Sequence, residues 1–361
     1  MQQPMMEDLR WSGDAPAHAP PRSLDLSREG AAVWVKGLTR SFESGKKAPK
    51  KTVVAVDGID VAIGRGELFG ILGPNGAGKT TTMKILTTLL FPTSGEVRVA
   101  GFDIVQKPRE VRRRISLVSG GDNAGYGILT VRESLWMFSQ FYGVPNKDSR
   151  ERSELLLDKL GLRSKADERI NRLSTGFKQR LNFARGFMSD PEIVFLDEPT
   201  LGLDVESARQ LRAFLREWMA EKAGQRTVVL TTHYMAEADE LCDRIAIIDH
   251  GKILATDTPQ GLRQIVSADR RVVVELDAGT PTDALARIAG VRILRITTPS
   301  EKGTIAVHLG VNEPRAMRSV LDSLMVEGRA VHNLSTHDPS LEDVFVAIVG
   351  RGLDEEGGED A

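Results

Sequence analysis

The sequence predicts a mixed α/β protein built around a mainly parallel sheet, followed by a second, smaller α/β unit. Three observations predict it. From Val33 to about residue 265, short β-rich runs alternate with helical patterns, the order that gives parallel sheets with helical crossovers. An apolar strand, ELFGIL (67–72), runs into a glycine-rich segment and then a helical pattern, TTTMKILTTLL (80–90). The last hundred residues spell β-α-β-β-α-β, the ferredoxin-like order.

Taken along the chain, residues 1–30 carry Pro4, Pro16, Pro20 and Pro21 without apolar periodicity and read as a disordered leader. The runs VWVKGL (33–38), VVAVDGIDVAI (53–63) and ELFGIL are the first strands, interrupted by a lysine-rich insert at 44–52 that reads as a solvated hairpin loop. Later come ISLV (115–118), an aromatic stripe of Trp136, Met137, Phe138 and Phe141, PEIVFLDE (191–198), a helix from Val205, TVVLTTH (227–233) and DRIAIID (243–249). The second unit contains RRVVVELD (270–277), a helix near 281–289, VRILRITTP, GTIAVHLG, a helix over 313–328, AVHNLST and an amphipathic helix SLEDVFVAIVG. The expected domains are therefore 31–265 and 266–350, with an acidic tail at 351–361.

Composition narrows the function classes. Hydrophobic residues at 41% and charged residues at 27% describe an ordinary globular chain and exclude fibrous and membrane-spanning classes. With 48 basic and 50 acidic side chains the net charge is −2, so no electrostatic excess favours a nucleic-acid partner, and none is expected. The single cysteine, Cys242, cannot close an intramolecular disulfide and reads as a small core residue in a reducing cytoplasm. The basic run Lys107 to Arg114, with Pro108 at a helix start, reads as a solvated helix face.

The glycine-rich segment, Gly73-Pro-Asn-Gly-Ala-Gly-Lys-Thr80, matches G-x-x-x-x-G-K-[ST] in the strand-loop-helix setting that the motif requires. Its glycines let successive backbone N–H groups converge on phosphate oxygens, and the helix N-terminus adds partial positive charge there. Lys79 supplies a full charge toward the β- and γ-phosphates, and Thr80 offers a hydroxyl to Mg²⁺. A chance match in such a chain is on the order of one in a hundred. The strand IVFL (193–196) ends in Asp197-Glu198, at the carboxyl edge where parallel sheets meet ligands. Asp197 is the expected Mg²⁺ partner. Glu198, one residue on, points the other way, as suits a group that polarises the attacking water.

These residues resemble the ATP-binding subunits of ABC transporters. Leu173-Ser-Thr-Gly-Phe-Lys-Gln-Arg180 is similar to the family's signature motif, with Thr175 in place of a glycine; Pro199 to Asp204 is similar to its D-loop. Thr231-Thr-His233 resembles the switch-histidine segment, and Phe42 the aromatic that stacks on adenine. The resemblance implies a P-loop NTPase fold with a helical subdomain, Glu198 and His233 as catalytic groups, and Thr80 and Asp197 at the metal. Nucleotide contacts are implied for Phe42, Asn75, Gly76, Gly78, Lys79, Thr80 and Thr81, and in trans for Ser174, Gly176 and Asp204. It further implies ATP and Mg²⁺ as cofactors, and a homodimer with two ATPs buried head to tail. A separately encoded integral membrane permease would hold the chain at the cytoplasmic face of the cell membrane. Pro339-Ser-Leu-Glu-Asp-Val-Phe345 is similar to a C-terminal sequence of the daunorubicin-resistance type and favours export. A soluble, non-transport ABC ATPase and an ATP-locked regulatory module remain the alternatives. One departure stands out, since no Gln lies between Gln106 and Gln140 and the loop where the family places one reads Ser119-Gly-Gly-Asp-Asn-Ala-Gly-Tyr126. Asp122 is a candidate for a water-mediated metal contact in its place.

Overall fold

The computed structural model describes residues 25–44, 51–120, 126–266, 270–278, 280, 282–297, 303–311, 314–326, 331–337 and 340–349. Asp122, the leader to residue 24, residues 45–50 of the lysine-rich insert and the tail from 351 lie outside them. Of the expected leader, residues 25–30 are described: Ser27 takes an Asp25 contact and closes a turn onto Gly30 and Ala31 ahead of the first strand.

In chain order the first half runs β1 (Val33–Ser44), β2 (Lys51–Ile63), β3 (Leu68–Leu72), α1 (Lys79–Leu86), β4 (Ser94–Val99), β5 (Phe102–Asp103), α2 (Pro108–Arg112) and β6 (Ile115–Ser119). It continues through α3 (Val131–Phe141), α4 (Asn146–Lys159), α5 (Thr175–Phe187), β7 (Ile193–Asp197), α6 (Val205–Glu221), β8 (Thr227–Thr232) and α7 (Met235–Leu241). Then follow β9 (Arg244–Asp249), β10 (Lys252–Asp257) and α8 (Pro259–Val266). The C-terminal part is β11 (Arg270–Asp277), α9 (Asp283–Ala286), β12 (Val291–Ile296), β13 (Thr304–Val311), α10 (Pro314–Val326), β14 (Val331–His337) and α11 (Leu341–Val349).

The central sheet has the order β10-β9-β3-β8-β7-β6, parallel from β9 to β6 with β10 antiparallel at the edge. β3 and β8 are buried along their whole length, which is why LFGIL and TVVLTT read as continuous apolar or small runs instead of alternating ones. β1 and β2 pair antiparallel, as a hairpin between them requires, and β1 pairs antiparallel with β4, giving a separate sheet β2-β1-β4-β5. A hairpin joins antiparallel neighbours, whereas a parallel pair needs a crossover of a dozen residues or more.

Helices α3, α4 and α5 form the helical part. α3 opens with a capping box in which Thr130 accepts from the Glu133 N–H and Glu133 accepts from the Thr130 N–H. Phe183, Phe187, Phe214 and Trp218 lock α5 against α6, with ring centroids 4.9 to 5.9 Å apart. The stripe on α3 divides: Met137 and Phe138 are half-buried, while Trp136 and Phe141 are exposed. On α2 the basic run is partly spent, because Arg114 lies 4.4 Å from the Phe102 ring and Glu110 pairs with Arg113 and Arg114. Cys242 is buried beside Gly70, as a core residue should be.

The C-terminal strands form an antiparallel sheet, β12-β13-β11-β14, with its own core built on Val272, Val274, Leu276, Val307, Leu309 and Val320. The helix expected near 281–289 is short, Asp283–Ala286, and ends ahead of Gly290 at φ +81°. α11 does not join that core. Leu341, Val344 and Phe345 are buried in the large cluster beneath the central sheet, together with Leu241 and Leu262. Its apolar face packs on α8 and α7.

Candidate functional site

The glycine-rich loop joins the C-terminal end of β3 to α1. Gly78 is the N-cap of α1 at φ +101°, and a Cβ there would sit 2.4 Å from the Ala55 carbonyl, so only glycine allows this turn. A glycine N-cap supplies no side chain to the helix's free N–H groups, and no acid lies in the first turn. The positive end of α1 is left for an external anion. Asn75 and Gly76 are exposed at the loop's tip, Thr80 is exposed and Thr81 half-buried on the first turn of α1.

Lys79 is buried and held in place: its Nζ donates to the Gly73 and Pro74 carbonyls at 2.7 and 3.0 Å. The same ammonium lies 3.6 Å from Glu198 Oε1, and the other Glu198 oxygen lies 3.4 Å from His233 Nδ1. The expected catalytic pair and the loop lysine are therefore one cluster. Glu198 adopts φ +50°, a left-handed conformation that a non-glycine residue enters only when its surroundings hold it. They do so here, because its N–H is shared between the Thr231 carbonyl and hydroxyl, both at 3.1 Å.

Asp197 sits beside this cluster. Its Oδ1 accepts from Thr231 Oγ1 at 2.6 Å and from Thr80 Oγ1 at 3.3 Å. One carboxylate and one hydroxyl are hard oxygen donors, too few for an all-protein cage; among the described residues no group of three or more His, Cys, Asp or Glu is gathered for a metal. This set fits Mg²⁺, which keeps waters and takes its other oxygens from substrate phosphates.

Gly120 meets the same strand end. Its N–H donates to the Asp197 carbonyl at 2.7 Å, and a Cβ there would lie 2.7 Å from the Glu198 carbonyl oxygen. The chain passes so close that position 120 has no room for a side chain without shifting backbone.

Phe42 lies near the end of β1, partly exposed, with the Arg40 guanidinium 4.5 Å from its ring centroid. Arg40 in turn donates to the Phe91 carbonyl at 3.0 Å, which anchors the stack.

Ser174, Gly176 and Asp204 are placed differently from the rest. Ser174 caps α5 by accepting from the Phe177 N–H, and α5 likewise has no acid in its first turn. Among the described residues a Cβ on Gly176 would meet nothing within 4 Å, so none of them requires glycine there. Asp204 caps α6: it accepts from the Ser207 N–H at 2.8 Å and the Ser207 hydroxyl at 2.6 Å, and the hydroxyl bond foremost holds its carboxyl below the usual aspartate range. Arg180 of the signature helix also reaches the Ser207 hydroxyl, which ties the two helix starts together.

The sequence singles out Thr231 only as part of the switch-histidine segment, yet this residue bridges Asp197 and Glu198. The available signal was its register, a hydroxyl at the strand end directly opposite Asp197 in the neighbouring strand.

Fold and site together define a P-loop ATPase cassette. The ABC transporter family's sequence profile matches residues 56–201. The daunorubicin resistance ATP-binding protein DrrA2 of Streptomyces coeruleorubidus is 39% identical over 89% of this chain and 96% of the relative. Nod factor export ATP-binding protein I of Rhizobium sp. (strain N33) is 34% identical over 90% of this chain and 98% of the relative. Among solved structures, a dimeric ATP-binding cassette in a post-hydrolysis state bound to ADP and Pi aligns with a TM-score of 0.57 at 26% identity, covering 63% of this chain and 98% of that one. The chain belongs to the ATP-binding proteins of the ABC transporter family. It binds ATP and is an ATPase.

Proposed function

We propose that this chain is the ATP-hydrolysing subunit of an exporter, closing as a homodimer around two ATPs and driving a separate integral membrane subunit from the cytoplasmic side. The observation that carries the reading is the Lys79–Glu198–His233 cluster at the mouth of the glycine-rich loop. In this arrangement Lys79 and the N-terminus of α1 take the β- and γ-phosphates. Asn75, Gly76, Gly78 and Thr81 line the loop, and Phe42, backed by Arg40, stacks on adenine. Glu198 orients and polarises the attacking water, and His233 holds the γ-phosphate side of the site. Thr80 and Asp197 would hold Mg²⁺, which when bound neutralises charge developing on the phosphates. Thr231 fixes the Asp197 carboxylate and the strained Glu198 backbone at once.

The second half of each site comes from the other copy. The acid-free start of α5, the Ser174 hydroxyl and the open space over Gly176 suit a γ-phosphate arriving from outside the chain. Asp204 borders the same surface through Arg180 and Ser207. Loss of the γ-phosphate releases this contact and lets the copies part, so chemistry becomes domain motion.

A membrane partner is supported by two features. Among the described residues no helix is long and apolar enough to cross a membrane, and the aromatics Trp136 and Phe141 are exposed together on α3. Direction of transport rests on relatives whose names specify drug resistance and export.

Steady-state ATPase activity of the full chain and its Glu198→Gln variant tests the reading. Loss of the base should lower kcat at least about a hundredfold. Equal rates in both would leave an ATP-locked regulatory module as the better account.

A further inference from the structure

Glu237, the third residue of α7, stands one turn beyond His233. Its side chain is only 5% exposed, and neither carboxylate oxygen finds a hydrogen bond of good geometry among the described residues. A glutamate is rarely buried in this way unless something nearby repays its desolvation, and an orphaned buried polar group asks for an explanation. Burial pushes its carboxyl above the ordinary glutamate range; the Thr232 and Thr200 hydroxyls, and the charges of Arg212 and His233, pull the other way.

Those neighbours come from separate segments. Thr232 ends β8 immediately before His233, Thr200 lies two residues after Glu198, and Arg212 belongs to α6. The Thr200 loop is also gripped from its far side, because Gln179 of the signature helix donates to the Pro199 carbonyl at 3.3 Å. Arg212 binds Glu240 on α7 at 3.0 Å, so α6 and α7 are pinned next to the same carboxylate. Glu237 thus occupies the junction between the loop leaving Glu198, the turn carrying His233 and the contact reaching back to α5.

We propose that Glu237 is a positioning residue that couples the loop after Glu198 to the His233 turn, its buried carboxylate drawing the Thr200 and Thr232 hydroxyls to one point. The inference rests on the reading of Glu198 and His233 as catalytic groups. Both hydroxyls already pull on the carboxylate, at a geometry short of a good hydrogen bond, so a displaced Thr200 moves the start of α7 with it.

The test uses the full chain with ATP, reading steady-state kcat and KM, the Kd of a fluorescent ATP analogue, and Tm. Glu237→Leu should lower kcat about tenfold while nucleotide Kd stays within about twofold, since a coupling of this kind acts on closure and not on the loop that binds phosphate. Its Tm should change little, because the desolvation penalty of the buried carboxylate is removed together with its contacts. Glu237→Gln, whose amide still bonds both hydroxyls, should recover kcat to within about threefold of wild type. The double variant Glu237→Leu with Thr200→Val should be no worse than Glu237→Leu alone, because both remove one contact. Wild-type kcat in Glu237→Leu, no recovery by Gln, losses that multiply in the double variant, or a Tm that falls in step with kcat would each overturn the proposal. Failure of the underlying reading is distinguishable, as it appears as undiminished turnover in Glu198→Gln whatever Glu237 does.

Discussion

Two helices of the ATPase half begin alike and end in different surroundings. Among the described residues, α1 and α5 are the two members of α1–α7 without an acid in the first turn, so both leave the positive end of the helix dipole uncompensated. Around α1 the chain gathers two sets of polar groups, Thr80 with Asp197 at 3.3 Å and Lys79, Glu198 and His233 at 3.4 to 3.6 Å, bridged by Thr231. Around α5 it assembles a cap and a clearing. Ser174 serves its own helix, Gly176 faces open space, and Asp204 serves α6. The difference teaches that two helix starts of one chain are finished differently, the first surrounded by internal polar contacts and the second left open, as the proposed dimer requires.

That comparison is broken most severely by damaging one half at a time. Lys79→Ala should weaken nucleotide binding at least about tenfold, because it removes a buried charge-assisted contact to phosphate. Gly176→Glu should leave the Kd of a fluorescent ATP analogue unchanged and still lower kcat about tenfold or more, since it places a like charge where the second copy's γ-phosphate would arrive. Titration and steady-state turnover on the two variants separate these effects. If Gly176→Glu weakened binding as Lys79→Ala does, the two halves would not be functionally distinct. A smaller effect sharpens the first half alone. Phe42→Ala should raise the ATP Kd about two- to tenfold with kcat little changed, the worth of one aromatic stack; an unchanged Kd in the same titration would remove Phe42 from the site.

How much of this could be read in advance depends on what sets each position. Lys79, Thr80, Asp197 and Glu198 are legible because the loop spacing and an apolar strand end fix them locally, whereas His233 is legible only through the family resemblance. Thr231 and Glu237 are not legible. Their importance arises from neighbours in other segments, Asp197 and Glu198 for one, Thr200 and Arg212 for the other. The hairpin between β1 and β2 is legible, but the addition of β4 and β5 to form a separate sheet is not, since short β-rich runs show that strands exist but not which distant strands pair. α11 makes the same point: its amphipathic pattern announces a buried face, while the choice between two available cores is made only by the folded chain.

Light scattering of the full chain carrying Glu198→Gln, with saturating ATP and Mg²⁺, reaches the core of the account. The expected result is twice the single-chain mass with ATP, and the single-chain mass once Gly176→Glu is added. A lone chain at saturating ATP with only Glu198 disabled, or a pair that forms regardless of Gly176→Glu, would contradict it.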